Sequence, residues 1–428
     1  MVASSVRKVA ILGGARIPFA RQNTAYADLS NQDMLTAALQ AVVAKFRLQK
    51  ERLGEVVAGA VLKHSRDFNL TRESVLSSGL APETPAYDVQ QACGTGLETA
   101  ILVANKIALG QIEAGIAGGV DTSSDAPIGV DEGFRRLLLS VNRAKTTGER
   151  LRTFMDFRPS MLMPALPAMG EPRTGLSMGE HCEIMVKDWK ISRADQDQLT
   201  LDSHQKAAKA YEEGFFDDLV VPHLGLNRDN NLRPDSSLEK LAKLAPVFDR
   251  DSGAGTITAA NATPLTDGAS AVLLASDEWA LAHDLRPLAY LTHCETAAVD
   301  FATGHEGLLM APAYAVPRML ARAGLTLQDF DYYEIHEAFA GLVLCTLKAW
   351  EDPVFCKERL GLEAPLGAID RSKLNVKGSS LAFGHPFAAT GGRILATAAK
   401  LLDQKRGGRC LISICAAGGM GVVAIVER

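Results

Sequence analysis

The sequence predicts an α/β protein built from two similar halves. Segments with the composition of buried strands alternate with segments whose apolar residues recur at helical spacing. Glycine is abundant, at 37 of 428 residues, and aromatic residues make up only 6%, which suits many tight turns between strands and helices. A small-residue turn, an amphipathic helix and a strand ending in Ala-Gly-Gly occur once in each half. Such alternation predicts a largely parallel sheet that helices cover on both faces.

The first half alternates strand and helix candidates in a regular order. Its strand candidates, rich in alanine, valine, isoleucine and glycine, are residues 8–19, 55–62 and 114–127. The first and third of these run into a Gly-Gly pair, which predicts a turn there. Ser30 can cap the first helix. A second helix is predicted to start at Cys93 and to stop at Gly110.

The amino-acid composition changes between residues 124 and 252, where charged residues, methionine and proline are more frequent. We predict an inserted domain there, with a helix that starts after Ser192. Strand-like sequence resumes over residues 255–276, and the last part of the chain again alternates strand and helix candidates as the first part does. The predicted division is a first half of residues 1–123 with 253–276, the insertion 124–252, and a second half of residues 277–428.

Composition excludes several classes of function. The net charge of −5 and the pI near 6 leave no basic field for nucleic acid. Basic residues cluster within 134–154, either on a solvated helix face or around the phosphates of an anionic ligand. The seven cysteines lack CxxC spacing and do not combine with histidines as zinc sites do, so we expect reduced thiols, no metal and a cytoplasmic location. No apolar run approaches the ~20 residues that cross a bilayer, so we expect no transmembrane segment.

Cys93, in the stretch QQACGTG, is the first candidate for chemistry. The partial positive charge at a helix N-terminus lowers the pKa of a thiol and makes it a better nucleophile. Gly94 and Gly96 would let a substrate approach the backbone closely. The alternative is a buried core thiol, which is the commoner state of a lone cysteine.

Three further residues suit a reaction at a thiol. His385, in GHPFAATGG, could take the proton of a nucleophilic cysteine. Cys415 ends a predicted strand before a glycine-rich turn, where it could move a proton while backbone N–H groups stabilise an oxyanion. His336 follows the strand-like YYEI. The residues alone make a cysteine-dependent transferase one candidate and leave structural roles open for both histidines.

Six segments, in order and across nearly the whole chain, resemble the thiolase family: QQACGTGLETA, SRADQD, GTITAANATPLTDGASAV, HEAFA, NVKGSSLAFGHPFAATGGR and CAAGGMG. HEAFA and GHPFAATG resemble the β-subunit type of the trifunctional fatty-acid oxidation complex. The resemblance implies two βαβαβαββ halves in a five-layer α-β-α-β-α core, with the insertion contacting CoA and the acyl chain. It implies 3-ketoacyl-CoA thiolase activity without a cofactor, with coenzyme A as co-substrate.

By similarity, Cys93 is the nucleophile that becomes acylated, and His385 takes its proton. Cys415 would exchange the proton on the α-carbon of the acetyl unit. His336 would help His385 to hold the thioester oxygen. The backbone N–H groups of Cys93 and Ala417 would form a second oxyanion site.

The contacts with CoA and the acyl chain carry over from the family as four side chains. Arg233 is expected near the adenine end of CoA and Thr263 near its pantetheine arm. Ser177 and Met178 are expected near the substrate. Ser177 stands where many short-chain members have a histidine, which argues against acetoacetyl specificity. The apolar loop 161–170 could line an acyl tunnel, dock a partner or belong to the core.

The alternatives differ in substrate and in class. The runner-up is a biosynthetic acetoacetyl-CoA thiolase. A ketoacyl synthase shares the fold, but the pairing of GHP with Cys-Ala-Ala-Gly-Gly speaks against it. A non-catalytic homologue is disfavoured because all three reactive positions are filled. Family members are commonly homodimers or dimers of dimers, and an α subunit with hydratase and dehydrogenase activities is a further expected partner.

Overall fold

The computed structural model describes residues 6–304 and 306–428. Its strands are β1 (Ala10–Arg16), β2 (Ala20–Arg21), β3 (Glu55–Ala58), β4 (Ala86–Asp88), β5 (Ala114–Asp121), β6 (Gly129–Val130), β7 (Pro164–Ala165), β8 (Thr266–Ala275), β9 (Ala289–Ala298), β10 (Tyr332–Ile335), β11 (Arg409–Ala416) and β12 (Met420–Glu427). Its α-helices are α1 (Asn31–Phe46), α2 (Leu70–Leu76), α3 (Thr95–Ala108), α4 (Glu132–Arg143), α5 (Thr147–Phe154), α6 (Met178–Asp188), α7 (Arg193–Glu212), α8 (Leu238–Ala242), α9 (Asp277–Ala282), α10 (Ala311–Ala323), α11 (Ala340–Glu351), α12 (Pro353–Glu358), α13 (Ser380–Phe383) and α14 (Thr390–Lys405).

Ten strands form one sheet in the order β10-β11-β12-β9-β1-β8-β5-β3-β4, with β2 paired beside β8. Only two residue pairs join β1 to β9, so the sheet consists of two half-sheets that meet at this seam. Strands β3, β4 and β5 pair in parallel, as do β10 and β11, and the other pairs of this sheet are antiparallel. The prediction of a largely parallel sheet is therefore wrong. The final strand of each half, β8 or β12, is antiparallel to the neighbouring strand on each side.

Helices α3 and α14 form the central layer between the two half-sheets. Helix α3 packs on β5 and β3 of the first half-sheet and reaches β12 of the second, while α14 contacts strands of both. Helix α14 buries residues around most of its circumference, and α3 leaves only the face of Glu98, Leu102 and Asn105 incompletely buried, as expected for helices between two sheets. Helices α1 and α10 cover the outer faces of the first and second half-sheets. The five-layer arrangement predicted from the family resemblance is confirmed.

The order of elements differs between the halves in one respect. The first half follows the predicted βαβαβαββ order, from β1 to β5 and then β8. In the second half the third strand is reduced to a single bridge between Tyr333 and Leu374. Asn375 follows with a left-handed backbone, φ 45°. Its side-chain amide accepts a hydrogen bond from the Ile335 N–H and donates one to the Ile335 carbonyl. The extended run ends there because this asparagine turns the chain toward α13.

The two Gly-Gly pairs predicted as turns lie inside strands. A Cβ at Gly119 of β5 would lie 2.0 Å from the carbonyl oxygen of Ala388, and one at Gly118 would lie 2.5 Å from that of Ser270. These glycines permit close packing of backbone on the strand. The pair at 13–14 likewise lies within β1, where the register shifts just before it. The turn prediction is wrong at both places.

Several predicted ends are confirmed by the caps that the side chains make. The Ser30 hydroxyl accepts a hydrogen bond from the backbone of Asp33 at the start of α1, and Ser192 caps α7 in the same way. Helix α3 ends at Ala108, and Gly110 follows with φ 70°. The predicted strand over 255–276 is only β8, because residues 255–265 form a loop in which Asn261 accepts a hydrogen bond from the backbone of Thr258.

The strands inside the insertion, β6 and β7, form a separate two-stranded sheet. Helix α4 buries Leu137 and pairs its exposed Arg135 and Arg136 with Glu132, and α5 is largely exposed. The basic cluster therefore lies on a solvated helix face. The boundaries of the three predicted units remain a prediction.

The apolar loop 161–170 is exposed in the single chain. Four of its side chains are 65–73% exposed: Leu162, Met163, Leu166 and Met169. The core interpretation of this loop is wrong, and the other two uses stay open. Across residues 6–304 and 306–428, none of the helices combines the length and apolar character needed to cross a bilayer.

Candidate active site

Cys93 lies on the tight connection that leads from β4 into α3. Ala92 before it has φ 47°, a left-handed conformation that is uncommon for a residue with a Cβ. A Cβ at Gly94 would lie 2.7 Å from Val422, and one at Gly96 would lie 2.5 Å from the Ala388 carbonyl oxygen. The two glycines therefore let the start of α3 pack against the second half of the chain. The predicted approach of a substrate to their backbone stays a prediction.

His385 comes from the second half and lies against Cys93. Its Nε2 is 3.0 Å from the Cys93 sulfur, and its Nδ1 is 2.6 Å from the Thr390 hydroxyl at the start of α14. Its backbone N–H donates to Thr266 at the start of β8. The structure thus brings together two predicted residues that are 292 positions apart. The imidazole is held on both sides, as a base that serves a thiol needs to be.

Burial dominates the electrostatics of this pair. Although Cys93 keeps partial exposure, packing around its sulfur, followed by the nearby Asp121, raises the pKa of the thiol to about 12. Burial, followed by the positive charge of Arg393, lowers the pKa of His385 to about 3. The predicted lowering of the thiol pKa by the helix start is wrong, because desolvation outweighs it. The site rests as a neutral thiol beside a neutral imidazole.

Cys415 and the turn after it form the opposite side of the site. Cys415, near the end of β11, is 3% exposed, and burial together with the nearby Cys93 raises its pKa well above the usual value. The backbone N–H groups of Ala417 and of Cys93 lie close enough to the Cys93 sulfur to favour its charged form. Two N–H groups that converge on one point form an anion-binding arrangement.

Gly418 completes this turn. It has a left-handed backbone, φ 77°, and its N–H donates to Glu171 of the insertion at 2.8 Å. Glu171 is itself 8% exposed. A buried carboxylate from the insertion therefore holds the turn that carries Ala417.

His336 follows β10 and lies behind His385. The two ring centroids are 4.2 Å apart, and His336 is 1% exposed. Its Nδ1 is 2.9 Å from the Ser380 hydroxyl, while its Nε2 has no hydrogen-bond partner among the residues that the structure describes. Burial, then His385 and Arg393, lower the pKa of His336 well below the usual value. His336 is therefore neutral at pH 7, with one ring nitrogen left for a ligand.

The ligand atoms of Cys93, His336 and His385 all lie within 4.8 Å of one another. Sulfur and imidazole nitrogen are also zinc ligands. The 3.0 Å distance between Cys93 and His385 is that of a hydrogen bond between thiol and imidazole, which suits proton transfer. The absence of a metal remains a prediction.

Both halves of the chain match known protein domains. Residues 9–278 match the N-terminal domain of thiolase, and residues 285–428 match the C-terminal domain of thiolase.

The chain belongs to the thiolase family.

Relatives and solved structures cover almost the whole of this thiolase. It is 42% identical to a 3-ketoacyl-CoA thiolase of Shewanella sp. strain W3-18-1 over 426 residues, which is 98% of this chain and 97% of the relative. A 3-ketoacyl-CoA thiolase of Yersinia enterocolitica has the same identity and coverage. The human mitochondrial 3-ketoacyl-CoA thiolase structure has a TM-score of 0.81 at 28% identity, with 99% of this chain and 100% of that chain covered. The acetyl-CoA acetyltransferase structure of Bacillus anthracis has a TM-score of 0.82 at 28% identity, with the same coverage.

The residues predicted to contact substrate differ in how their surroundings relate to the site. The N–H and the hydroxyl of Thr263 both donate to the Ala338 carbonyl, so Thr263 lies against the His336 loop. Met178 packs on the apolar cluster that includes Cys415. Thr263 is thus close to the site, and the contacts of both residues with substrate remain a prediction.

Ser177 and Arg233 have other partners in this thiolase. Ser177 caps α6, and its hydroxyl and backbone N–H both donate to Glu180. Arg233 is exposed, and its guanidinium donates to the carbonyls of Asn230 and Leu232. The structure does not bring Arg233 into hydrogen-bonding contact with the residues around Cys93 in the described part of the chain. Its role near CoA remains a prediction.

Sequence reasoning missed the polar residues that support the thiolase site. Asp121 accepts hydrogen bonds from the backbone of Leu62 and of Ala388, so it ties the first half to the His385 turn. Glu337 accepts hydrogen bonds from Ser203 and Asn375 and fixes the loop after His336. The available signal was the presence of charged and hydroxyl side chains within strongly apolar, small-residue segments, which predicts buried and therefore paired groups.

Proposed function

We propose that this thiolase is a 3-ketoacyl-CoA thiolase of fatty-acid β-oxidation, an acyltransferase that cleaves 3-ketoacyl-CoA with CoA to acetyl-CoA and a shortened acyl-CoA. The observation that carries the proposal is the 3.0 Å contact of the Cys93 sulfur with His385, beside a second thiol at Cys415. The 42% identity with proteins named 3-ketoacyl-CoA thiolase supports it further.

Cleavage begins when the Cys93 sulfur attacks the 3-keto carbon. His385 accepts the thiol proton as the carbon–sulfur bond forms, because a neutral imidazole at 3.0 Å is in reach of that proton. The keto oxygen becomes an oxyanion beside the backbone N–H groups of Cys93 and Ala417, which stabilise its charge. The neutral resting pair makes proton transfer part of the attack.

The bond between Cα and Cβ then breaks, and its electron pair passes to the acetyl-CoA fragment. The thioester oxygen of that fragment carries the charge toward His385 and the free Nε2 of His336. Cys415 donates its proton to the α-carbon, which releases acetyl-CoA and leaves the acyl group on Cys93. CoA thiol next gives its proton to the Cys415 thiolate and attacks the acyl carbon. The Cys93 sulfur leaves and recovers its proton from His385.

A series of 3-ketoacyl-CoA substrates of increasing chain length tests the proposal. Thiolysis should give an acyl-CoA two carbons shorter, and kcat/KM should be higher for medium or long chains than for acetoacetyl-CoA. Mass spectrometry of the quenched enzyme should find the acyl group on Cys93. A sharp peak of kcat/KM at four carbons would favour the acetoacetyl-CoA thiolase instead, which the Bacillus anthracis acetyl-CoA acetyltransferase structure makes the second candidate.

The proposed reaction uses coenzyme A as a co-substrate and needs no cofactor. The proton transfers and oxyanion contacts all come from side chains and backbone of the chain itself. Dialysis against a chelator should therefore leave thiolysis at its original rate. A loss that added Zn²⁺ restores would assign a metal to the Cys93, His336 and His385 cluster and overturn this part of the proposal.

The proposal includes assembly and location. We expect a homodimer or a dimer of dimers, which light scattering of the eluted protein measures as mass. We also expect an α subunit with hydratase and dehydrogenase activities, which should co-purify with the tagged chain and carry both activities. A cytoplasmic location is tested by fractionation of cells.

A further inference from the structure

The two ring nitrogens of His336 have different surroundings. Nδ1 is 2.9 Å from the Ser380 hydroxyl, and Nε2 has no protein partner among residues 6–304 and 306–428. A neutral imidazole carries one proton on one of these nitrogens. The tautomer therefore decides whether the free nitrogen can donate a hydrogen bond to a ligand or can only accept one.

The partners of Ser380 decide the tautomer. Arg393, on α14, donates from one guanidinium nitrogen to the Ser380 hydroxyl oxygen at 2.7 Å and from another to Ser379 at 3.2 Å. A guanidinium only donates, so the Ser380 oxygen accepts from it. The hydroxyl hydrogen of Ser380 then has one acceptor in the described part of the chain, which is His336 Nδ1.

The opposite tautomer would leave two buried groups without protein partners, the Ser380 hydrogen and the Nε2 lone pair, where the Nε2-protonated tautomer leaves only the Nε2–H. With a proton on Nδ1, the Ser380 oxygen would accept from both Arg393 and His336, and its own hydrogen would point at neither. Ser380 is fully buried, so water offers no replacement acceptor at its side chain. Hydrogen-bond counting thus favours a proton on Nε2.

Arg393 is suited to holding this arrangement near neutral pH. It is 2% exposed, and burial lowers its pKa to about 10, which still leaves it protonated at pH 7. Glu334 lies close enough to favour that charge once it ionises, and burial raises the pKa of its own carboxyl to about 8. Arg393 in turn disfavours a positive charge on His336, so the ring stays neutral and keeps a single proton.

We propose that Ser380, held by Arg393, is a positioning residue that fixes His336 as the tautomer protonated on Nε2. The Nε2–H then points into the site next to His385 as a donor to the thioester oxygen of the substrate. This role rests on the proposed thiolase reaction, whereas the tautomer is a property of the resting protein.

Histidine labelled with ¹⁵N reports the tautomer directly. In the full-length wild-type protein, His336 should show a protonated Nε2 and an unprotonated Nδ1, with the signal assigned by its loss in His336→Gln. Ser380→Ala should shift the spectrum toward a mixture of tautomers. A proton on Nδ1 in the wild type, or an unchanged spectrum in Ser380→Ala, would overturn the proposal.

Steady-state kinetics test the consequence for the reaction. Ser380→Ala should lower kcat about 10- to 100-fold with little change in KM, the range typical when a metal-ligating histidine loses the partner that orients its ring. The matched control is Ser379→Ala, which removes the neighbouring hydroxyl that also contacts Arg393 but not His336. Equal losses in the two variants would mean a structural role and refute the assignment. Ser380→Cys, with a weaker S–H donor, should fall between serine and alanine.

A double-variant cycle separates positioning from packing. Glutamine at position 336 presents an amide donor and has no tautomers, so Ser380→Ala should cause no further loss in the His336→Gln background. A full additional loss there would contradict the proposal. A wild-type protein that shows the Ser380-dependent tautomer but no thiolysis of any 3-ketoacyl-CoA would instead refute the proposed function and leave the positioning of His336 standing.

Discussion

Burial acts in opposite directions on the two members of the Cys93–His385 pair. It raises the pKa of the thiol and lowers that of the imidazole, because each charged form loses its solvation. The backbone N–H groups of Cys93 and Ala417 favour the thiolate but do not offset this loss. The positive end of α3 therefore serves the transition state, in which negative charge develops, more than the resting thiol.

Replacement of the nucleophile tests the residue that carries the mechanism. Cys93→Ala should lower kcat of thiolysis by about 10⁴-fold or more, because no other group can carry the acyl chain. Circular dichroism should show an unchanged fold, since the substitution removes one small side-chain atom, and alanine suits the same backbone position. Cys294→Ala is the matched control, as Cys294 is another partly exposed free thiol. Turnover near the wild-type value in Cys93→Ala would contradict the assignment.

The protonation state of Cys93 makes a second prediction at this scale. Because burial raises the pKa of the thiol to about 12, the thiolate is scarce at pH 7 and grows as pH rises. The ultraviolet difference spectrum, wild type minus Cys93→Ala, should show no thiolate absorbance near pH 7. Alkylation of Cys93 should accelerate with pH up to about pH 9 without a plateau. A plateau below pH 7 would show a thiolate–imidazolium pair instead.

At the level of elements, glycines set how closely the two halves approach. The start of α3 meets the segment before α14, and a Cβ at Gly96 would lie 2.5 Å from the Ala388 carbonyl oxygen. Sequence reasoning located these glycines but explained them as turns or as space for substrate. Their actual neighbours come from distant parts of the chain, which no local pattern contains.

The contact at Gly96 predicts a costly substitution. Gly96→Ala should lower the free energy of unfolding by about 1–3 kcal/mol, because the added methyl group meets rigid backbone. Gly148→Ala is the matched control: Gly148 also lies in the first turn of a helix, and a Cβ there meets nothing within 4 Å. The control should be neutral or more stable by about 0.5–1 kcal/mol, since alanine suits a helix better. Urea unfolding measures both, and equal effects would contradict the packing argument.

At the scale of the whole molecule, three parts of the chain meet around Cys93. The first half supplies the nucleophile, the second half supplies His385, His336 and Cys415, and the insertion supplies Glu171. The site therefore depends on how these parts pack together. Glu171 is the direct link from the insertion to the turn that carries Ala417.

Loss of this link should slow the reaction more than it destabilises the fold. Glu171→Ala removes the acceptor of the Gly418 N–H, so the turn loses its anchor and kcat should fall about tenfold. Glu180→Ala, another glutamate of the insertion that bonds Ser177 instead, should leave kcat near the wild-type value. Thiolysis assays with thermal melts as a stability check distinguish the two. An unchanged kcat in Glu171→Ala would show that the turn keeps its conformation without the hydrogen bond from Gly418 to Glu171.

The sequence by itself determined the α/β class, the helix caps at Ser30 and Ser192, and the thiolase motifs that contain Cys93, His385 and Cys415. These depend on periodicity, on capping chemistry and on short segments, all of which are local. Local patterns extend over a few residues, and they identify which chemical groups a segment carries whatever lies across the fold.

Only the tertiary structure decided the rest. It set the antiparallel course of β8 and β12, the raised pKa of Cys93 and the Arg393–Ser380–His336 chain. Strand direction depends on which distant strand becomes a neighbour, and a pKa depends on the burial that all layers create together. The tautomer of His336 depends on a serine and an arginine from two further segments, so it is fixed only after the halves have packed.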